Sequence, residues 1–232
     1  MKYAQFCPIA KASEVIGERW MLLVIRELIA GATSFSELQR GLGSISPSVL
    51  SARVRALLEH GIIERVDSDS AKGRYRLTQA GRELTPIMES VGTWGRRWVH
   101  SRMTPDELDV ELLMLHIARS FDAGAFAKDH AVIGFVFADL HGASRRWWLL
   151  LEGGETELCT TFPGRAEDVT LTCTLRTLAK VFSGDISIKA ALAEALLQLD
   201  GLPKCTRNVH RWLRTSPFAE IALPHAPRVA AG

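Results

Sequence analysis

No two of the four cysteines, Cys7, Cys159, Cys173 and Cys205, stand at metal-ligand or redox-motif spacing. That argues against a zinc site, a disulfide framework and a thioredoxin-like centre, and free thiols suit a reducing compartment. Long apolar runs are missing as well. The stretches Met21–Ile25 and Val132–Ala138 fall far short of the roughly 20 residues that cross a bilayer. Lys2 is not followed by the unbroken apolar segment of a signal peptide. The chain therefore reads as soluble and cytoplasmic, without a membrane span. HExxH, the Walker loop, the Gly-rich dinucleotide turn and the GxSxG elbow are all absent. The seven histidines are scattered, and Glu155 and Glu157 alternate as on a solvated strand edge. No catalytic residue, metal ligand or cofactor is expected, and the chain reads as something other than an enzyme.

What is there is an ordinary globular composition, 47% hydrophobic and 23% charged over 232 residues. The net charge is only +2 but is unevenly divided. Residues 1–100 hold 14 Lys and Arg against 10 Asp and Glu, whereas residues 101–232 hold 14 against 16. A mildly basic first part joined to a mildly acidic second fits a nucleic-acid reader attached to something else.

Helices are expected over residues 8–17 and 18–30, the second carrying Trp20, Leu23, Val24 and Leu28 at helical spacing and stopped by Gly31. Ser34-Phe35-Ser36-Glu37 forms a capping box for a short helix to about Leu42. After a turn at Gly43–Ile45, Ser46 caps another helix with Pro47 at its first position, running to about His60. Strand-like runs Ile62–Asp67 and Arg74–Thr78 flank a polar segment ending in Gly73, which predicts a hairpin. A long helix, Gln79 to His100, has its pattern broken by Pro86. Thr104-Pro105-Asp106-Glu107 is a further capping box, predicting a helix through Arg119 and a domain boundary near Met103. Beyond it, strands are expected at 131–140, 145–152, 155–162 and 168–175, then helices at 176–183 and 187–199. The fold class is α+β, in two domains, 1–103 and 104–232.

Two short helices, a tight turn between them and a hairpin after them make a winged helix-turn-helix, which can place its second helix in the DNA major groove. At about 100° per residue, Leu50, Val54, Leu57 and Leu58 of the 46–60 helix face inward. Ser46, Ser48, Val49, Ala52 and Arg55 form the outer face, with Arg53 at its border. Small residues permit close approach to base edges, and arginine can bond guanine or pair with phosphate. The wing adds Lys72, Arg74 and Arg76. On the 79–100 helix, Ile87, Val91, Trp94 and Trp98 form a stripe suited to a two-fold homodimer interface.

The segments Cys7-Pro8-Ile9-Ala10, Gly17-Glu18-Arg19-Trp20-Met21-Leu22-Leu23, Arg26-Glu27-Leu28, Phe35-Ser36-Glu37-Leu38, Ile45-Ser46-Pro47, Leu50-Ser51, Leu57, Gly61-Ile62-Ile63 and Tyr75-Arg76-Leu77-Thr78-Gln79-Ala80-Gly81 resemble the HxlR-type winged-helix regulators. The resemblance runs from about residue 5 to 100. It implies a bacterial or archaeal regulator that binds a pseudo-palindromic double-stranded DNA operator as a dimer, assembled through terminal helices. Several such proteins sense oxidants or electrophiles with a cysteine near the N terminus, where Cys7 stands. Trp147-Trp148-Leu149-Leu150-Leu151, Leu158-Cys159, Phe162-Pro163-Gly164, Val169–Leu175 and the Leu178–Gly184 segment resemble a sterol-carrier-protein-like domain, which implies helices on a twisted sheet and a hydrophobic ligand tunnel. The glycine-rich stretch of that family is reduced here to Gln198-Leu199-Asp200-Gly201-Leu202. Phe135, Phe137, Trp147 and Trp148 are the candidate lining of a pocket for a small hydrophobic ligand. Two functions follow. One is a sequence-specific transcriptional regulator controlled by an apolar ligand or by thiol chemistry. The other is a lipid carrier whose first domain serves for dimerisation.

Overall fold

The computed structural model describes residues 3–66, 74–99, 104 and 107–223. The chain packs as two compact units, Met1–Trp94 and Gly95–Gly232. The boundary expected near Met103 and the wing residue Lys72 lie outside the described residues.

The first unit opens with α1 (Pro8–Ile16) and α2 (Met21–Ile29), followed by α3 (Phe35–Leu42), α4 (Pro47–Glu59), β1 (Ile63–Val66), β2 (Arg74–Leu77) and α5 (Gln79–Arg82). Then α6 (Thr85–Trp98) runs across the division between the units. The helix expected from residue 79 is thus two helices. They part just before Pro86, where a proline ring is tolerated in a first helical turn but not in the interior. Both expected caps of the central helices form. Ser34 Oγ accepts the Glu37 N–H at 3.3 Å while Glu37 Oε2 accepts the Ser34 N–H at 3.0 Å. Ser46 Oγ accepts the Val49 N–H at 3.4 Å. The core gathers Met21, Val24, Ile25 and Leu28 from α2, Leu38 and Leu42 from α3, and Leu50, Val54 and Leu57 from α4. Leu58, expected inside, is only half-buried.

In the second unit come α7 (Val110–Ser120), β3 (His130–Phe137), β4 (Arg146–Glu152), β5 (Glu155–Cys159), β6 (Val169–Cys173), α8 (Leu175–Ser183), α9 (Ile188–Ala193), β7 (Leu197–Gly201) and two short helices, α10 (Pro203–Thr206) and α11 (Val209–Trp212). The sheet order is β5-β4-β3-β6-β7, with β3 and β6 parallel and the other neighbours antiparallel. Met114 and Ile117 of α7, Leu178 and Val181 of α8, and Ala191 of α9 close over one sheet face.

Two sequence expectations fail here for local reasons. Thr104 does bond Glu107, its N–H donating to Oε2 at 2.6 Å. The helix nevertheless begins at Val110, where Asp109 Oδ1 accepts the Leu112 N–H at 3.0 Å. The helix expected over 187–199 stops at Ala193. Ala195 turns to φ 55°, and the Leu196 N–H closes on the Ala191 carbonyl at 2.9 Å. Residues 197–201 then alternate as an edge strand, with Leu197 opposite Cys173 and Leu199 opposite Leu171.

Candidate nucleic-acid interface

The helix-turn-helix is held from beneath by α2. Glu27, fully buried, pairs with Arg26 at 2.8 Å, and Arg26 Nη2 donates to the Gly41 carbonyl at 3.1 Å. A Cβ on Gly41 would sit 1.8 Å from Glu27 Oε2, so only glycine lets α3 approach α2 this closely. The Thr33 amide, donating at 2.7 Å, is the chief influence holding the Glu37 carboxyl below the usual carboxylate range. Partial burial opposes it and the Ser34 amide and both hydroxyls add to it. A charged Glu37 at the start of α3 also faces the positive end of the helix dipole.

On α4 the expected outer face is largely present. Ser48, Ala52 and Arg55 are exposed and Val49 is half-buried. Ser46 Oγ lies 3.2 Å from Ser48 Oγ, so the first turn presents a small polar surface. Arg55 has no hydrogen bond or ion pair among the described residues, so its guanidinium is available to a base edge or phosphate. Arg53 differs. Its Nε–H donates to the Arg19 carbonyl at 2.8 Å, and Nη1 lies 2.5 Å from Glu18 Oε2. Nothing local in the sequence announces these partners.

The wing pairs β1 with β2 in the register Glu64↔Arg76 and Val66↔Arg74. Arg74 and Arg76 are exposed on the same face, while Tyr75 and Leu77 pack on the core. The Tyr75 N–H donates to the Thr33 carbonyl at 2.6 Å, tying the wing root to the α2–α3 turn. Arg76 is engaged by Glu64 Oε1 at 2.8 Å. An exposed pair of that kind is worth at most about 1 kcal/mol, small enough to yield to a phosphate.

The stripe on α6 lies open, with Ile87, Val91, Trp94 and Trp98 all exposed. No residue of α1 is buried; its Ile9 is exposed, as is Phe6 just before it. Cys7, half-buried, stands at the N-cap of α1.

The candidate pocket residues in the second unit do not line one cavity. Phe135, Phe137 and Trp147 are buried in the core under the helices. Trp148 points to the opposite sheet face, as neighbouring residues on a strand must. There its Nε1–H donates to Glu167 Oε1 at 2.8 Å and Phe162 meets it edge-on. A separate open cleft is lined by Ala125, Val181, Ile188 and Leu213, with Arg211 and Arg214 among its polar residues. The four thiols fall into two groups. Cys7 and Cys159 are half-buried, and Cys173 and Cys205 are buried. Burial first, and then the nearby Asp139 charge, push the Cys173 thiol up to about 12, and burial raises that of Cys205 too.

Comparison with known proteins bears on the first unit. The profile of the HxlR-like helix-turn-helix family matches residues 15–103. An HTH-type transcriptional regulator of Mycobacterium bovis is 41% identical over 93 residues, which are 39% of this chain and 58% of that protein. The HTH-type transcriptional regulator YvaP of Bacillus subtilis is 30% identical over 102 residues, 43% of this chain and 94% of its own length. Among solved structures, the redox regulator HypR in its oxidised form is 33% identical, with a TM-score of 0.36, over 38% of this chain and 94% of that one. The match therefore spans just over half the length of the mycobacterial relative.

Proposed function

The chain belongs to the HxlR-like helix-turn-helix family, and on that premise we propose that it is a transcriptional regulator that binds a pseudo-palindromic DNA operator as a homodimer. In this reading α4 lies in the major groove, with Ser46, Ser48, Val49 and Ala52 allowing close approach and Arg55 reading a base. Arg74 and Arg76 of the wing, joined by Lys72, follow the backbone. The observation that carries the reading is Arg55, exposed and without a described partner on the small-residue face of α4. Arg55→Ala is expected to weaken specific binding by about 1–3 kcal/mol, roughly fivefold to 150-fold. The measurement is fluorescence anisotropy on an operator selected from a random duplex pool. Unchanged affinity in a folded variant removes Arg55 from the reading. Relatives that are regulators favour this function over a lipid carrier, and they point to no catalytic family.

Cys7 is the proposed sensor of oxidants or electrophiles. Its support is partial exposure at the edge of the open apolar surface around α1. The thiolate is the reactive form of cysteine. Mild oxidant is expected to change operator affinity in the wild type and to leave Cys7→Ser unaffected. An equal response in both proteins assigns Cys7 to packing.

The second unit is proposed to be sterol-carrier-like and to take a small hydrophobic ligand. The support is a five-stranded sheet covered by helices on one face, together with an open cleft in which Val181, Ile188 and Leu213 stand among polar residues that include Arg211 and Arg214. Native mass spectrometry of the purified protein is expected to show a co-purifying apolar molecule or binding of added fatty acid. If neither is seen, the second unit is an interaction module.

A further inference from the structure

One side chain joins the recognition helix to the turn that precedes α2. The Nε–H of Arg53 donates to the carbonyl of Arg19, 34 residues away in sequence, at 2.8 Å, and its Nη1 reaches Glu18 Oε2 at 2.5 Å. The turn it grips has little slack. A Cβ on Gly17 would meet the Ser13 carbonyl oxygen at 2.5 Å. Trp20 sits at φ 75°, ψ −17°, in the left-handed region that a bulky side chain rarely adopts. The Met21 N–H closes onto the Glu18 carbonyl at 3.0 Å, and the Arg19 guanidinium lies 5.6 Å from the Trp20 ring centre. Backbone strain at a residue such as Trp20 persists only where the surroundings over-determine it. The Arg53 side chain is only 21% exposed, and its charge is already met by a carboxylate.

We propose that Arg53 is a positioning residue and not a reader of DNA. It clamps α4 to the Glu18–Arg19 turn and so fixes the angle at which Arg55 meets the groove. This rests on the reading of α4 as the recognition helix. A guanidinium serves this purpose because its planar fork can hold a carbonyl and a carboxylate at once, which a lysine ammonium on a flexible stem does not do at fixed angle. For Arg53 to take a phosphate instead, both bonds would have to break and Glu18 would be left beside a second anion. Glu18, which stands in the turn before α2 and not on α4, thereby becomes a determinant of operator affinity.

The test is a double-mutant cycle on the full chain, with Glu18→Gln, Arg53→Ala, the double variant and Arg53→Lys, and with Arg55→Ala as control. Operator binding is measured across a salt series. Each of Glu18→Gln and Arg53→Ala is expected to weaken specific binding by about fivefold to tenfold, with the double variant no weaker than Arg53→Ala alone. Arg53→Lys should fail to restore it, and the slope of log affinity against log salt should match wild type in Arg53→Ala. Glu18→Gln keeps the shape of an exposed side chain, so it reports even if Arg53→Ala folds poorly. A slope reduced by about 1 in Arg53→Ala, together with unchanged or tighter binding in Glu18→Gln, places Arg53 on a phosphate and overturns the proposal. Undiminished binding in every variant, Arg55→Ala included, overturns the recognition-helix reading itself and the role of Arg53 with it.

Discussion

Replacing Trp212 by alanine is expected to cost the second unit about 3–5 kcal/mol, the range for emptying a buried aromatic site. Trp212 is completely buried, and its ring meets Phe121 at 5.5 Å and Phe126 edge-on at 5.3 Å. The three rings form the centre of the contact between the end of α11 and the segment after α7. Backbone bonds reinforce it, because the Asp122 N–H donates to the Trp212 carbonyl at 2.9 Å. The indole Nε1–H donates to the Cys205 carbonyl at 2.8 Å in a buried setting. Alanine therefore leaves a cavity and also an unsatisfied carbonyl, whereas phenylalanine keeps most of the apolar contact. Trp212→Phe should accordingly lose much less, about 1–2 kcal/mol. Urea denaturation followed by near-UV circular dichroism separates these outcomes. Equal losses in both variants would mean that the hydrogen bond, and not the packing, holds α11 in place.

Trp94→Glu is expected to convert a dimer into a monomer. Four large apolar side chains lie along α6, and Trp94 is the most open of them at 60% exposure. The exposed Phe6 and Ile9 at α1 add to the apolar surface of the first unit. A buried tryptophan at the centre of an interface commonly contributes 2 kcal/mol or more, and a carboxylate in its place must also be desolvated. Dimerisation should weaken by roughly 100-fold or more, and operator binding should fall with it, because a two-fold site needs both recognition helices at once. Sedimentation velocity at micromolar concentration gives the answer directly. A wild-type monomer under those conditions would remove the dimer from the proposed function, and a dimeric Trp94→Glu protein would move the interface elsewhere.

The parts of the fold that could be read from sequence are those with local causes. Ser34 with Glu37, and Ser46 with Pro47, announce helix starts because the capping bonds span only three residues. The inward set Leu50, Val54 and Leu57 follows from helical period alone. Strand β7 escaped because Ala-rich sequence up to Ala195 favours a helix, and the break there depends on a backbone turn and on pairing with β6. Trp147 and Trp148, the aromatic pair expected in one pocket, face opposite ways because they are adjacent on a strand. The period of two was visible in the sequence; which face the helices would cover was not. On α4 and the wing, the exposure of Arg55, Arg74 and Arg76 could be read from their spacing. The engagement of Arg53 by Glu18 and Arg19 could not, because it arises only when α4 folds back over α2.

The two classes of thiol give the molecule a built-in reporter for its own folding. A maleimide dye reacts with thiolates it can reach, so the native chain offers Cys7 and Cys159, while Cys173 and Cys205 are shielded by burial and, for Cys173, by a thiol pushed up to about 12. Both shielded cysteines lie in the second unit, one on β6 and one on α10. Pulse labelling during denaturation would therefore register the opening of that unit as two additional adducts. The single substitution Cys159→Ser would leave one fluorophore position on the native chain, at the foot of α1.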